Sequence, residues 1–192
     1  MPVLLSATLA LTSWRAPWTR VWTNDTGEYV LSIAPEPKVK GWQIRLSSPG
    51  PDAALRPLWK TNIDFYPGQV YLSGDGHLAT LNEYPGYAHR SAVAIFGDDG
   101  KILKRYVVED LIPKAEFDGL PGNEGLMPKH WAEVAWFDSI RNLNDHPPVQ
   151  SPAVDRKVGG VAIHNEFPLV FRLRTMTGKS FWFDLVTGDK YG

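Results

Sequence analysis

The sequence predicts a mainly β protein built from antiparallel sheets. The 192 residues include 17 Gly and 16 Pro, together about 17% of the chain. These two residue types usually contribute roughly 12%, so the composition favours many turns over long helices. Short segments alternate apolar and polar side chains with the period of two that is expected of half-buried strands. Polar turns that end in Gly recur between these segments and indicate hairpins.

Four such turns occur, at residues 24–27, 73–76, 97–100 and 175–178. In each of them the final Gly is followed by a polar residue and then by an apolar stretch. Gly adopts positive φ without a Cβ clash, and Asp or Asn tolerates the left-handed region and bonds its own backbone. The pattern therefore predicts that each turn joins two antiparallel strands.

The alternation predicts strands along most of the chain. They are expected near residues 28–33, 42–47, 58–62, 69–72, 77–82, 92–96, 102–108, 158–164, 169–174 and 180–186. The segment 92–96 is apolar throughout, which is typical of a central strand that is buried on both faces. Long Pro-rich connections separate the strands at 34–41, 47–57, 84–91, 113–128 and 144–157.

One helix is predicted at 128–143, inside a long insertion at 113–157 of an otherwise single domain. Pro128 suits a first helical turn. The apolar residues from Trp136 to Leu143 follow helical spacing, and two prolines at 147–148 bar continuation. A strand is the competing prediction, because Val134, Trp136 and Ile140 also alternate, although Asp138 interrupts them.

The order of elements over residues 69–110 is strand, Ser-Gly-Asp-Gly turn, strand, loop, strand, Asp-Asp-Gly turn, strand. This stretch resembles a blade of the β-propeller-type repeats common in bacterial proteins. Residues 23–46 are similar to the first half of another copy, and 169–190 to the closing hairpin of a third. The resemblance implies four-stranded antiparallel sheets, in an incomplete propeller or a sandwich-like arrangement. It implies no activity, because propeller folds host enzymes, scaffolds and binding proteins alike.

Composition excludes several classes of function. Lys plus Arg number 20 against 21 for Asp plus Glu, and without a basic stripe we expect no nucleic-acid partner. Cysteine is absent, which excludes disulfides, thiolate catalysis and sulfur-ligated zinc. The longest apolar run, 3–11, is too short for a membrane span. Residues 1–10 fit either a signal-like segment, which implies a periplasmic or secreted protein, or a buried strand, which leaves a cytoplasmic location open.

Two motifs resemble nucleotide-binding loops. Residues 74–79 match the pattern G-x-G-x-x-A, and 177–180 match the end of a phosphate-binding loop. Both lie between predicted strands and lack the helix that such loops must open, so we predict hairpin turns and no cofactor. The five His residues show no ligand spacing, and no metal is expected.

The candidate ligand-binding site lies on the loop at 82–90 and consists of Glu83, Tyr84, Tyr87, His89 and Arg90. Loops on a rigid sheet are where function concentrates. Because no catalytic motif is assembled, we expect a non-catalytic module that binds a protein or a small ligand.

Two alternatives to this function stay open. One is a hydrolase that uses Glu83, His89 and Arg90 on the same loop. The other is a structural subunit that pairs through open sheet edges. A row of Trp14, Trp18 and Trp22 fits either an edge strand that covers the core or a surface that stacks on sugar rings.

Overall fold

A computed structural model describes residues 19–24, 26–36, 38, 41–52, 54–121, 129–139, 156–158, 161–163 and 169–192. Over these residues the protein is mainly β, as predicted. Three four-stranded sheets and one two-stranded hairpin are present, and every strand pairing among them is antiparallel. The signal-like segment 1–10, Trp14 and Trp18 lie outside the described residues.

The first two sheets follow the chain strand by strand. Sheet A consists of β1 (Arg20–Thr23), β2 (Val30–Glu36), β3 (Gly41–Pro49) and β4 (Leu55–Ile63), in that order. Sheet B consists of β5 (Gln69–Leu72), β6 (Leu78–Leu81), β7 (Val93–Phe96) and β8 (Ile102–Tyr106), also in order. Helix α1 (Pro85–Ser91) lies in the connection between β6 and β7. After β8 come a 3₁₀ turn (Val108–Asp110) and helix α2 (Lys114–Gly119).

The third sheet, sheet C, is interrupted by a hairpin. Its strands are β9 (Ala132–Ser139), β12 (Leu169–Thr175), β13 (Ser180–Asp184) and β14 (Lys190–Tyr191). Between β9 and β12 the chain forms a separate pair of strands, β10 (Arg156–Val158) and β11 (Val161–Ile163). Apart from this hairpin, sheet C repeats the up-and-down order of the other two sheets.

Sheet B lies between the other two sheets and is buried on both faces. On one face Leu78 and Phe96 belong to a cluster with apolar side chains of sheet A. On the other face Val93 and Ile95 belong to a cluster with sheet C. Because successive side chains of a strand point to opposite faces, β6 and β7 are buried at every residue. The predicted central strand at 92–96 is confirmed.

The four predicted glycine turns are confirmed. They join β1 to β2, β5 to β6, β7 to β8 and β12 to β13, and all four glycines have φ between +72° and +86°. At Gly100 packing adds to the requirement, because a Cβ there would lie 2.4 Å from the ring of Trp59. The nucleotide-like motifs at 74–79 and 177–180 therefore lie in antiparallel hairpins.

Helix α1 corrects the prediction of an irregular connection at 84–91. Pro85 is the first helical residue, where its missing N–H group leaves no hydrogen bond unmade and its fixed φ suits the helix. The Pro-Gly pair at 85–86 therefore begins a helix rather than interrupting the chain between two strands. Ala88 and Ala92 are fully buried, so the short helix is held by packing against the core rather than by its own length.

The helix predicted at 128–143 is wrong, because Ala132–Ser139 form strand β9, which pairs with β12. Phe137 faces the core and lies 5.5 Å from Phe171, measured between ring centroids. Asp138, which interrupted the apolar alternation, lies 3.5 Å from the Arg172 guanidinium on β12. Cross-strand pairing thus stabilises the period of two, a contribution that helical spacing cannot reveal. Residues 140–143 lie outside the described part.

The single strand predicted at 158–164 is also wrong. Two short strands, β10 and β11, pair antiparallel in this region, with Val158 opposite Val161, and positions 159–160 lie outside the described residues. Those two positions are both Gly in the sequence, and a Gly-Gly pair between apolar residues is a hairpin signal. The segment 113–157 accordingly contains α2, β9 and the start of β10.

Candidate functional site

The first strands of sheets A and B lie side by side without pairing. At one end the Arg20 guanidinium donates to the carbonyl oxygen of Gly68, at 3.4 Å. At the other end the Asn24 amide donates to the carbonyl oxygen of Gly74, at 3.2 Å. Because the start of β1 contacts the start of β5 and its end contacts the end of β5, the two strands run in the same direction.

A groove of about 800 Å³ lies between β1, β5 and the first strand of sheet C, β9. Aromatic and acidic side chains share its lining. The lining residues include Trp22, Asn24, Tyr71, Asp75, Trp136 and Asp138. All three sheets thus contribute to one concave surface, which is the usual form of a small-molecule site.

We call the groove between β1, β5 and β9 the wide end of the site. Its polar groups are held in place by neighbouring residues. Asn24 is buried, and its side-chain oxygen accepts the backbone N–H of Tyr29 at 3.0 Å. Asp75 accepts a hydrogen bond from the Ser73 hydroxyl and lies 3.8 Å from the buried ring of His77. Their carboxylate and amide groups are therefore oriented before any ligand arrives, which lowers the entropy cost of binding.

Trp136 is also fixed. The Arg172 guanidinium lies over its ring at 4.9 Å from the centroid and over the ring of Trp182 at 5.4 Å. The same guanidinium contacts Asp138 at 3.5 Å. Arginine thus holds one aromatic ring and one carboxylate of the groove together by cation–π and ionic contacts.

A smaller pocket of about 250 Å³ lies next to the groove, between β5, β6 and the start of β9. Tyr71 and Ala135 line both the groove and the pocket. Gln69, Glu83 and His130 line the pocket only. We call this pocket the narrow end.

Glu83 is the most unusual residue of the narrow end, with only 7% of its surface exposed. One carboxylate oxygen accepts the Gln69 amide at 2.7 Å, and the other lies 3.5 Å from Nδ1 of His130. Burial raises the pKa of the Glu83 carboxyl, while His130, the Ala132 amide and Gln69 offset part of that rise. Acids in pockets whose pKa is shifted by burial and by a specific partner are candidates for functional groups.

Tyr71 extends this hydrogen-bonded chain. Its hydroxyl donates to the side-chain oxygen of Gln69 at 2.6 Å, which fixes the orientation of the Gln69 amide. Burial, together with the charge of Glu83, raises the pKa of Tyr71 to about 12. The hydroxyl therefore keeps its proton at neutral pH and acts as a donor.

His130 has a backbone φ of +38°, and no other described residue except glycine has positive φ. Such a conformation costs about 1–3 kcal/mol and persists only where neighbours impose it. The neighbours are visible: the Lys129 N–H donates to the Glu83 carbonyl oxygen at 3.0 Å, and the fully buried Trp131 donates to the Asn82 carbonyl oxygen at 3.0 Å. The backbone thus holds the imidazole, 72% exposed, beside the buried carboxylate.

The five residues predicted as a site are divided among separate neighbourhoods. Glu83 lines the narrow end. Tyr84 and Tyr87 pack around Tyr66, with ring centroids 6.5 and 5.8 Å away. His89 contacts the carboxylate of Glu109 in the 3₁₀ turn after β8, and Arg90 is exposed on α1.

Sequence reasoning missed the partners of Glu83, namely Gln69, Tyr71 and His130. The only sequence signal for Gln69 and Tyr71 is that they share one face of β5 by alternation. No sequence signal pointed to His130, because its position beside Glu83 depends on the turn before β9.

The described part of the chain gives no sign of a metal centre or of a membrane-spanning helix. Among the described residues no three His, Cys, Asp or Glu side chains cluster in a way that could hold a metal ion. In the same part of the chain, no helix has the length and apolar character needed to span a membrane. Comparison of the sequence with protein-family models, and of the chain with curated proteins and solved structures, gives no match.

Proposed function

We propose that this protein is a non-catalytic β module that binds a small polyhydroxylated ligand, such as a sugar, in the groove between β1, β5 and β9. The observation that carries the proposal is the lining of that groove, to which three sheets contribute aromatic rings and oriented carboxylate and amide groups.

The chemistry of the lining matches a sugar ring. A sugar presents apolar C–H faces that pack on aromatic rings and hydroxyls that donate to oxygen acceptors. Trp22, Tyr71 and Trp136 supply rings with an apolar face. Asp75 and Asp138 supply acceptor oxygens. The volume of about 800 Å³ falls in the usual range for small-molecule sites.

The proposal includes the arrangement of the sheets. In a propeller the blades are four-stranded antiparallel sheets around a central channel. Sheets A, B and C are such units, packed face to face, and β1, β5 and β9 are their first strands along one groove. We therefore favour an incomplete propeller over a sandwich, with the groove in the place of the channel.

The test is calorimetric titration of the full chain with D-glucose and with cellobiose, a two-ring sugar. We expect saturable binding, and Trp22→Ala should weaken it by about tenfold, because an aromatic contact contributes roughly 1 kcal/mol or more. Trp42→Ala is the matched control, since Trp42 packs against Tyr66 outside the groove, and it should leave the affinity unchanged. Absence of binding, or equal effects of the two variants, would contradict the proposal.

A hydrolase is the second candidate, and the buried acid at the narrow end favours it. A carboxyl with raised pKa beside an imidazole is a general acid–base arrangement. In this version the partner of Glu83 is His130 rather than His89. Release of reducing sugar from an oligosaccharide by the wild-type protein, lost in Glu83→Gln, would replace the binding proposal with this one.

A further inference from the structure

We infer that the narrow end receives a primary ammonium group, so that the groove prefers an amino sugar over a neutral sugar of the same size. This inference rests on the proposed function and names the ligand class of that site.

The Glu83 carboxylate is buried and is surrounded mainly by neutral groups. A buried carboxylate is costly unless donors and a compensating charge surround it. Gln69 donates at 2.7 Å and the Ala132 amide donates as well, but both are neutral. Because Tyr71 holds the oxygen of Gln69, that amide cannot turn to present its acceptor instead. The hydrogen bonds are therefore satisfied by fixed groups, whereas the charge has only the exposed imidazole of His130 near it.

The narrow end contains two acidic side chains, Glu83 and Glu133, and one imidazole, that of His130. Glu133 also lines the narrow end, but its carboxylate is paired with Arg174 at 2.8 Å. Among the described residues that line this pocket, His130 alone can carry a positive charge. It lies 3.5 Å from Glu83, beyond the 2.7–2.9 Å typical of a charge-assisted hydrogen bond. Its side chain is mostly in water, so displacing it requires no unpacking of the core.

The pocket has room and a suitable wall for an ammonium group. About 250 Å³ corresponds to roughly eight water volumes, enough for an ammonium group and its carbon. Tyr71 lines both the groove and the pocket, and an aromatic ring is a group that attracts cations. A sugar ring packed in the wide end could thus direct an amine toward Glu83 past this ring.

The experiment compares three ligands of similar size, D-glucosamine, D-glucose and N-acetyl-D-glucosamine, by calorimetry on the full chain at neutral pH. We expect glucosamine to bind about tenfold or more tightly than the other two, because acetylation removes the charge and glucose never has it. Glu83→Gln should abolish the preference, because an amide side chain carries no charge to attract the ammonium group. The matched control is Glu109→Gln, which changes an acid that contacts His89 outside the groove and should keep the preference.

A second variant distinguishes a binding role from a structural one. His130→Gly removes the competing imidazole and tolerates the backbone φ of +38°, so glucosamine should bind a few times more tightly than to wild type. A merely structural role of the pair would predict equal or weaker binding. Equal affinities of the wild type for glucose and glucosamine would overturn the inference and leave the proposed function intact. Absence of binding by all three sugars would overturn both.

Discussion

Two acid–imidazole pairs flank helix α1, and their surroundings make them different. Glu83 is 7% exposed and touches His130 in a pocket, whereas Glu109 and His89 are each 37% exposed on the surface. The pKa of Glu83 is raised by burial. Residue type and contact alone therefore do not define a site. A carboxylate becomes a candidate for binding when packing removes it from water and a pocket leads to it.

The largest expected difference between the pairs is in stability. Glu83→Ala removes a buried side chain together with its hydrogen bonds to the Gln69 amide and the Ala132 N–H group, and each such bond contributes about 0.5–1.5 kcal/mol. Glu109→Ala removes only an exposed ion pair, which is usually worth less than about 1 kcal/mol. Urea unfolding gives the free energy of unfolding of both variants. Equal losses of stability would show that Glu83 contributes no more to the folded state than a surface acid does.

Glycine substitutions at His130 and His89 should change the free energy of unfolding in opposite directions. His130→Gly relieves a left-handed backbone conformation and should stabilise the protein by up to about 1 kcal/mol, once the entropy cost of Gly is included. His89→Gly places Gly inside α1 and should destabilise by about 1 kcal/mol. The measurement is again the free energy of unfolding. Destabilisation by both substitutions would mean that His130 contributes contacts that outweigh its strain.

The pH dependence of stability gives the smallest effect. Because the folded-state pKa of Glu83 is raised, the native protein holds this proton more tightly than the unfolded chain does. The resulting stabilisation is fully present below the ordinary Glu pKa and is lost as pH rises through the raised value. Glu83→Gln should remove this decline, and Glu109→Gln should retain it. Melting temperatures from pH 4 to 8 test the difference, and identical profiles for the two variants would contradict it.

Local signals in the sequence predicted much of the fold. The strand at 69–72 and the glycine turns depend on side-chain alternation and on positive φ, both of which are properties of a few consecutive residues. Strand β9 was misassigned because its spacing fits two periods, and its partner β12 begins 30 residues after β9 ends. A choice between periods that is made by a distant strand cannot be predicted locally.

The candidate site was less predictable than the fold for the same reason. Glu83 was identified, but as a member of one loop with His89, six residues later. Its actual neighbours are Gln69, 14 residues away, and His130, which reaches it through the turn before β9. Proximity along the chain grouped Glu83 with residues that α1 carries to other neighbourhoods. The pairing of β5 with β6 brings Gln69 to Glu83, whereas His130 reaches it because the chain before β9 packs against the residues that follow β6.

The double burial of sheet B has a consequence for how the molecule unfolds. Since β6 and β7 are covered by sheet A on one side and sheet C on the other, detaching either outer sheet exposes apolar surface of the middle one. Amide protons of β6 and β7 should therefore exchange with solvent only through global opening, whereas the edge strand β14 can open locally. The three sheets then act as one cooperative folding unit, and a fragment that lacks either outer sheet should aggregate instead of persisting as a folded piece.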